Sequence, residues 1–258
     1  MPTNGMLNEE RRRSILEMIQ QDGRVIVKDL AKQFRTSQIT IRKDLEVLDS
    51  QGAIQRTHGG ALPVQSGALL DPTLREKEKL HRKEKMRIAA AAAKLVEEGQ
   101  SVLLDSGTTT TAIARALKDG KKITVITNAI NIAAELAGTQ IEVILVGGTL
   151  RPNSFSLVGP IAEQTLRRLS ADILFLGVDG FDSRAGLFTP NLLEAEVNRV
   201  MVQVARRTVA VCDSSKFSRR SLCNIMPPTA VHQVITDKQI PKPDLQALRD
   251  AGIAVTLV

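Results

Sequence analysis

The fold of the larger part of the chain is decided by the stretch Ser101-Val102-Leu103-Leu104-Asp105-Ser106-Gly107-Thr108-Thr109-Thr110. An apolar run of strand type is followed directly by a glycine turn and by hydroxyl residues suited to a helix start. The same alternation continues to the end of the chain. It predicts strands at 101–105, 123–127, 142–148, 172–179, 208–213, 233–237 and 254–258, and helices at 111–117, 129–137, 160–168, 193–206 and 243–251. This order is typical of an α/β domain with a mostly parallel sheet covered by helices.

Before this region the sequence predicts three short helices. The first begins at Asn8, whose side chain can cap free backbone N–H groups, and the second covers about residues 28–34. Ser37 can cap a third helix after a short turn. Apolar residues recur along that helix at the spacing of one buried face, and they are Ile41, Leu45 and Leu48.

Residues 53–62 follow the third helix. Their sequence predicts two short strands around the tight hairpin His58-Gly59-Gly60. Three helices followed by a hairpin predict a winged helix-turn-helix. The predicted domains are therefore a winged helix-turn-helix at 1–62, a linker and connecting helix at 63–88, and an α/β domain at 89–258.

The connecting segment is rich in charge. Pro63, Gly67 and Pro72 indicate a loop, and residues 75–96 predict one long charged helix. Such a charge run usually marks a solvated helix face, and a contact with the DNA backbone is the alternative. Because this helix joins the two domains, it is also the candidate for transmitting a signal between them.

The composition is that of a basic protein, with a formal net charge of +7 and a pI of about 9.6. This balance favours nucleic acid or phosphorylated ligands. Two cysteines, Cys212 and Cys223, and three scattered histidines indicate neither a disulfide framework nor a zinc site, so we expect no metal and no cofactor. There is no signal-peptide pattern and no apolar run long enough to span a membrane, so we expect a cytoplasmic location without a membrane partner.

The third predicted helix carries the residues that we expect to meet nucleic acid. The first turns of such a helix enter the major groove of DNA. Arginine and lysine can address guanine edges, glutamine can address adenine, and hydroxyl groups can hold phosphate. The candidate DNA-binding residues are Ser37, Gln38, Thr40, Arg42 and Lys43 on the helix, with Arg56 and His58 on the hairpin. A helical domain that binds protein is the alternative.

Polar residues follow the predicted strands at their carboxyl ends, where ligands bind in open α/β sheets. The glycine, hydroxyl groups and helix start at 105–110 can hold an anion such as phosphate. Further along, a lysine could neutralise phosphate, and carboxylates could accept hydrogen bonds from sugar hydroxyls. The candidate effector-binding residues are Asp105, Ser106, Gly107, Thr108, Thr109, Thr110, Asn128, Gly147, Gly148, Asp179, Asn191, Glu194 and Lys216. Each pattern also fits a capped turn or a surface residue, so their coincidence at one edge is what favours a ligand site.

These motifs resemble the DeoR family of sugar-metabolism repressors along nearly the whole chain. In the N-terminal part the resemblance rests on Asp29-Leu30-Ala31, Thr40-Ile41-Arg42-Lys43-Asp44-Leu45 and Arg56-Thr57-His58-Gly59-Gly60-Ala61. In the larger domain it rests on residues 105–110, Thr127-Asn128, Gly147-Gly148, Gly177-Val178-Asp179-Gly180, Asn191, Glu194 and Asp213-Ser214-Ser215-Lys216-Phe217.

The resemblance implies a sugar-phosphate sensor domain with a fold like that of ribose-5-phosphate isomerase. It also implies a repressor of a sugar or amino-sugar catabolic operon, which binds double-stranded operator DNA as a homodimer or homotetramer and is relieved by a phosphorylated sugar. In the isomerase, the loop after the DGADE-like motif carries a lysine and a glycine run. Residues 185–191 have neither, which argues against turnover. The alternatives are an activator with the same modules and a DNA-binding domain fused to a sugar-phosphate isomerase.

Overall fold

The computed structural model describes residues 8–22, 25–50, 53–57, 59–63, 71–118 and 120–258. The chain divides after Gly67 into two compact units. Each unit has its own apolar core. Within the described ranges, no helix is both long and apolar enough to cross a membrane.

The first unit combines three helices with a small antiparallel sheet. Its elements in chain order are α1 (Asn8–Asp22), β1 (Val25–Ile26), α2 (Val27–Gln33), α3 (Gln38–Ser50), β2 (Ile54–Arg56) and β3 (Gly60–Pro63). The sheet has the order β1-β3-β2, and β3 is antiparallel to both neighbours. The predicted winged helix-turn-helix is confirmed.

The strand β1 is not predicted by the sequence, because two residues give no periodic signal. It pairs with β3, where Ile26 lies opposite Gly60. A Cβ atom added at Gly60 would lie 1.9 Å from the carbonyl oxygen of Val25, so glycine is required at this position. The pairing attaches the hairpin to the segment directly before α2.

The helices of the first unit meet in one apolar core. The predicted core residues of α3 are all buried there, and they are Ile41, Leu45 and Leu48. Asp44 is also buried. It accepts a hydrogen bond from Nε of Arg11 at 2.6 Å and another from Nε of Arg12 at 3.0 Å. A buried carboxylate requires such partners, and here they fasten α1 to α3.

The second unit alternates helices and strands. Its helices are α4 (Leu74–Lys79), α5 (Arg82–Ala93), α6 (Thr108–Leu117), α7 (Ile130–Leu136), α8 (Pro160–Leu166), α9 (Leu192–Val204) and α10 (Lys242–Asp250). Its strands are β4 (Ser101–Leu104), β5 (Thr124–Thr127), β6 (Glu142–Leu145), β7 (Thr149–Arg151), β8 (Ser156–Val158), β9 (Ala171–Leu176), β10 (Gly180–Asp182), β11 (Gly186–Thr189), β12 (Ala205–Val211), β13 (Cys223–Met226), β14 (Gln233–Thr236) and β15 (Ala254–Leu257). Short 3-10 helices lie at Ser214–Lys216 and Pro228–Ala230.

Seven strands form one parallel sheet in the order β15-β14-β12-β9-β4-β5-β6. These are the strands that the sequence predicts, and α6 to α10 are the predicted helices, so the α/β fold is confirmed. From β4 the chain proceeds to one edge of the sheet, and from β9 it proceeds to the other. The order therefore reverses between β4 and β9, and ligands of open α/β sheets bind beyond the strand ends at such a reversal.

Two small antiparallel elements are not predicted by the sequence. β7 and β8 form a hairpin, and β10, β11 and β13 form a three-stranded sheet. Their strands are only three or four residues long, which is too short for a recognisable period. The hairpin begins after Gly148, which has a φ of +137°, and a Cβ added there would lie 2.7 Å from the carbonyl oxygen of Val158.

The charged segment differs from its prediction. The single helix expected over 75–96 is two helices, α4 and α5, separated at Leu80 and His81. Both helices lie in the second unit, which begins at residue 68, whereas the predicted connecting segment extends to residue 88. The physical reason is that Ile88, Ala89 and Ala92 form a buried apolar face on α5.

Candidate functional sites

The start of α3 is held in a defined geometry. The hydroxyl oxygen of Ser37 accepts the backbone N–H of Thr40 at 3.1 Å, and the two hydroxyl groups lie 2.9 Å apart. Gln38, Arg42 and Lys43 are exposed, and Thr40 is half-buried. The predicted contact residues of α3 therefore lie on its solvent side, opposite the buried apolar face.

Ile39 is an additional candidate that the sequence analysis missed. Its side chain is 69% exposed between Gln38 and Thr40 at the start of α3. An apolar side chain at such a position can contact the methyl group of thymine. The signal was present in the sequence, because Ile39 is apolar but lies off the face formed by Ile41 and Leu45.

The wing carries one described candidate cation. Arg56 is exposed in β2, and its backbone N–H donates to Oδ1 of Asp49 at 3.1 Å. Its guanidinium lies 3.7 Å from the carboxylate of Glu46, which is also exposed. Exposed pairs of this kind contribute little to stability, so DNA phosphate can replace Glu46 as the partner of Arg56. His58, the other wing candidate, lies outside the described residues.

In the second unit, Asp105 and Gly177 meet at the reversal between β4 and β9. A Cβ added at Gly177 would lie 3.5 Å from both carboxylate oxygens of Asp105. Burial raises the pKa of Asp105 to about 7, opposed by hydrogen bonds from Gly177 and Thr110 and reinforced by the charges of Glu194 and Asp179. Among the described residues, its buried Oδ1 has no hydrogen-bond partner. This carboxyl can therefore exchange a proton near neutral pH and bond to a ligand.

The helix α6 begins directly beyond Asp105, with Gly107 at its N-cap. The hydroxyl of Thr111 donates to the carbonyl oxygen of Gly107 at 2.6 Å, and the hydroxyl of Thr110 lies 3.0 Å from the same oxygen while also within reach of Asp105. The first N–H groups of a helix have no acceptor within the helix and carry partial positive charge. Ser106, Gly107 and Thr108 are half-buried, whereas Thr109 and Thr110 are buried. Backbone N–H groups, rather than the hydroxyls of Thr110 and Thr111, are the groups suited to an anion here.

Asp179 follows β9 and pairs with a lysine that the sequence analysis missed. Nζ of Lys77 lies 2.6 Å from its Oδ1. Burial acts to raise the pKa of Asp179, but the positive charges of Lys77 and Lys216 hold it below its ordinary value. Lys216 ends the short helix after β12. Asp179 is therefore charged and in the field of two lysines.

Glu194 is buried near the same strand ends. Its Oε1 accepts hydrogen bonds from Arg151 at 2.9 Å and from Ser156 at 3.0 Å. The hydroxyl of Thr189 lies 3.3 Å from Oε2 of Glu194 and 3.4 Å from Oδ2 of Asp179, so it links the two carboxylates. Asn191 caps α9 by accepting the N–H of Glu194 at 3.2 Å, which positions that residue.

Asn128, Gly147 and Gly148 lie beside the β7–β8 hairpin. Asn128 donates from Nδ2 to the carbonyl oxygen of Leu157 at 3.1 Å, and its backbone carbonyl oxygen accepts the N–H of Leu157 at 2.7 Å. Its buried Oδ1 lacks a partner within the described part of the chain. Gly148 packs closely on β8, and a Cβ at Gly147 would meet Ile161. These contacts tie the hairpin to the sheet, so the role of the three residues in ligand binding stays a prediction.

Lys85 is a second missed lysine. It donates from Nζ to the carbonyl oxygens of Lys77 at 2.5 Å and Leu80 at 2.7 Å, and so holds the break between α4 and α5. Burial lowers its pKa to about 8, partly offset by Asp213. Lys85 is only 6% exposed, so it does not belong to the solvated face that its charged neighbours predict. Lys85 has the helical spacing that places it on one face with the apolar residues 88, 89 and 92, and this spacing could have predicted its burial.

Comparison with known proteins gives the family. A model described as the DeoR C terminal sensor domain matches residues 80–238, and one described as the DeoR-like helix-turn-helix domain matches residues 11–66. A protein of Escherichia coli O157:H7 named "Putative aga operon transcriptional repressor" is 41% identical over 251 residues, which cover 96% of this chain and 93% of that protein. The glycerol-3-phosphate regulon repressor of Escherichia coli K12 is 32% identical over 254 residues, covering 98% of this chain and 100% of that protein.

Among solved structures, ribose-5-phosphate isomerase A from Methanocaldococcus jannaschii aligns with 53% of this chain and 54% of its own, at 18% identity and a TM-score of 0.40.

A winged helix-turn-helix combined with a sensor domain defines a DNA-binding transcription regulator. The chain belongs to the DeoR family of these regulators. The family predicted from the motifs is thereby confirmed, and the matched relatives are regulators rather than enzymes. The segments 149–151 and 154–159 predict a particular similarity to the repressor of N-acetylgalactosamine use, and the first of these relatives is named after an aga operon.

Proposed function

We propose that this regulator represses a sugar or amino-sugar catabolic operon in the cytoplasm and leaves its operator when a phosphorylated sugar binds at the strand ends. It acts as a homodimer or homotetramer, because two copies present two recognition helices to a repeated operator. The names of two relatives, which refer to an aga operon and to a glycerol-3-phosphate regulon, support a phosphorylated carbohydrate as the effector.

On the DNA side, α3 enters the major groove with its exposed start. Gln38, Arg42 and Lys43 meet base edges there, because amide, guanidinium and ammonium groups match the hydrogen-bonding pattern of that groove. The groups that hold phosphate and fix the orientation are Ser37, Thr40, Arg56 and His58.

The observation that carries the effector proposal is a convergence of groups between β4 and β9. An anion-binding helix start lies next to the buried carboxyl of Asp105, whose pKa depends on Asp179 and Glu194. The phosphate is held by the N–H groups at residues 106–110 and by Lys216. The sugar hydroxyls bond to Asp105, Asp179 and Glu194, which are acceptors with unused or exchangeable partners. Binding releases DNA only if it favours one arrangement of the protein over another.

The experiment is a titration of the full chain with fluorescent DNA from the region upstream of its operon, with and without a panel of effectors. The panel contains amino-sugar phosphates, hexose phosphates, glycerol 3-phosphate and the same sugars without phosphate. One phosphorylated compound is expected to raise the operator Kd about a hundredfold, which needs about 2.7 kcal/mol of coupling. The unphosphorylated sugars leave it unchanged. A panel without effect would contradict the sensor site.

Two variants separate the two functions in the same titration. Arg42→Ala is expected to weaken operator binding by about tenfold or more, with an unchanged thermal shift by the effector. Asp179→Asn keeps operator binding and loses the response. A reporter in cells without the gene tests the direction of regulation, since repression requires expression to rise and a fall would indicate an activator.

A further inference from the structure

Arg151 of β7 joins two acidic side chains from distant parts of the second unit. Its guanidinium donates to Oε1 of Glu194 at 2.9 Å and also pairs with Asp71. Ser154 adds a hydrogen bond at 3.1 Å, and the Arg151 side chain is only 12% exposed. A planar guanidinium can serve two carboxylates at once, which an ammonium group cannot do with the same geometry.

Asp71 lies on the segment that enters the second unit, four residues beyond Gly67. That segment is fastened to the β7–β8 hairpin by three contacts. The N–H of Leu74 donates to the carbonyl oxygen of Asn153 at 2.7 Å, and Nδ2 of Asn153 donates to both Oδ2 and the backbone oxygen of Asp71, at 3.3 and 3.4 Å. Oδ1 of Asp71 is buried without a partner among the described residues. The ion pair with Arg151 is therefore the main charged contact of this segment.

The other end of the same arginine reaches the proposed effector site. Glu194 influences the pKa of Asp105 and shares Thr189 with Asp179. Ser156 of the hairpin donates to the same carboxylate oxygen of Glu194 as Arg151 does. A ligand hydroxyl that donated to Oε1 of Glu194 would compete with Arg151 for that oxygen. Such competition would change the strength of the ion pair between Arg151 and Asp71.

We infer that Arg151 is a positioning residue that couples effector binding at Glu194 to the segment 71–74, which leads from the DNA-binding unit. This inference rests on the proposed function. It requires that the Arg151–Asp71 pair differ in strength between the liganded and ligand-free protein, because an effector shifts an equilibrium only through differential contacts. Asp71 and Arg151 then set the size of the response, whereas Asp105, Asp179 and the helix start set the affinity for the effector.

The test uses the full chain, labelled operator DNA and N-acetylgalactosamine 6-phosphate as the probe. Asp71→Ala removes the acid outside the proposed pocket. Arg151→Lys keeps the positive charge but replaces the planar guanidinium, which can bond to two carboxylates, with an ammonium group. Each variant is expected to change the ligand-free operator Kd about tenfold and to reduce the effect of the probe to less than about threefold. The double variant changes no more than Arg151→Lys alone, because the two residues form one pair. Asp71→Ala keeps the thermal shift caused by the probe.

Asp172→Ala is the matched control. Asp172 is a half-buried acid that accepts hydrogen bonds from Ser101 and pairs with Arg206, but it lies at the amino end of β9, away from the carboxyl ends of the strands that form the proposed site. It is expected to behave as the wild type in both titrations. If Asp71→Ala and Arg151→Lys keep the wild-type operator Kd and response, the pair is only structural and the inference is wrong. If no phosphorylated sugar of the panel changes operator binding by the wild type, the effector proposal fails, and a change of operator Kd in both variants then supports only a link between the Arg151–Asp71 pair and DNA binding.

Discussion

At the scale of single residues, the second unit places several ionisable groups where water is largely excluded. Asp105, Glu194 and Lys85 are each less than a tenth exposed. Glu194 has an arginine partner and Lys85 has two carbonyl partners, whereas one oxygen of Asp105 has none among the described residues. A buried polar atom left unpaired destabilises a fold and requires an explanation, which the proposed effector gives by supplying the partner. Asp105 is thus the residue at which stability and ligand binding are most directly linked.

The residue-scale prediction follows from the raised pKa of Asp105, about 7. Between about pH 4 and pH 7 the unfolded chain gives up this proton while the folded protein keeps it, so the free energy of unfolding falls as pH rises. Relative to Asp105→Asn, which does not titrate, the wild type is expected to lose about 1 kcal/mol per pH unit over that interval. Urea denaturation of both proteins at pH 5, 6 and 7 measures this difference. A constant difference would mean that Asp105 is ionised throughout.

The sequence predicts some residues of the site and not others, and the reason is physical. Asp105 and Asp179 follow continuous apolar strands, so their place at the carboxyl edge can be predicted from local pattern. Arg151 and Asp71 carry no such pattern, because their contact joins residues 80 positions apart through a hairpin of three-residue strands. In sequence, Lys77 has the pattern of an exposed lysine in a charged helix. Its ammonium group meets Asp179 because α4 ends at Lys79 rather than continuing into α5.

At the scale of elements, the seven strands of the parallel sheet were predictable because each is an apolar run flanked by turn residues. The order of the strands was not predictable from their pattern, since no local signal states that β9 adds beside β4 rather than beside β6. That order nevertheless creates the site, because it brings Gly177 against Asp105. The pairing of β1 with β3 in the wing was also not predictable from local pattern, because it depends on one close contact at Gly60.

The element-scale prediction concerns that contact. Gly60→Ala places a methyl group where the carbonyl oxygen of Val25 lies, so β1 must separate from β3. The free energy of unfolding of the first unit is expected to fall by about 2 kcal/mol or more, as for other overpacked sites. Gly59→Ala is the control, because its Cβ would have nothing within 4 Å and should change stability by less than about 0.5 kcal/mol. Thermal denaturation followed by circular dichroism gives both values, and equal stabilities would show that β1 is not needed.

At the scale of the whole molecule, the two units bury separate sets of apolar side chains. The first core contains Ile15, Ile41 and Leu45, and the second unit has two larger clusters on the faces of its sheet. Units with independent cores can unfold independently, so a single transition is not assured for the full chain.

The whole-molecule prediction is that calorimetry of the full chain shows two transitions with different sensitivities. Asp44→Ala removes the buried acid that Arg11 and Arg12 share. The free energy of unfolding of the first unit is therefore expected to fall by about 3 kcal/mol, and its transition moves to lower temperature. The effector binds only the folded second unit, so it raises the midpoint temperature of that unit's transition by an amount that grows with the effector concentration. If Asp44→Ala and the effector moved one common transition, the units would fold as one cooperative body. In that case the coupling between effector and operator would have to pass through a shared core rather than through the segment held by Arg151.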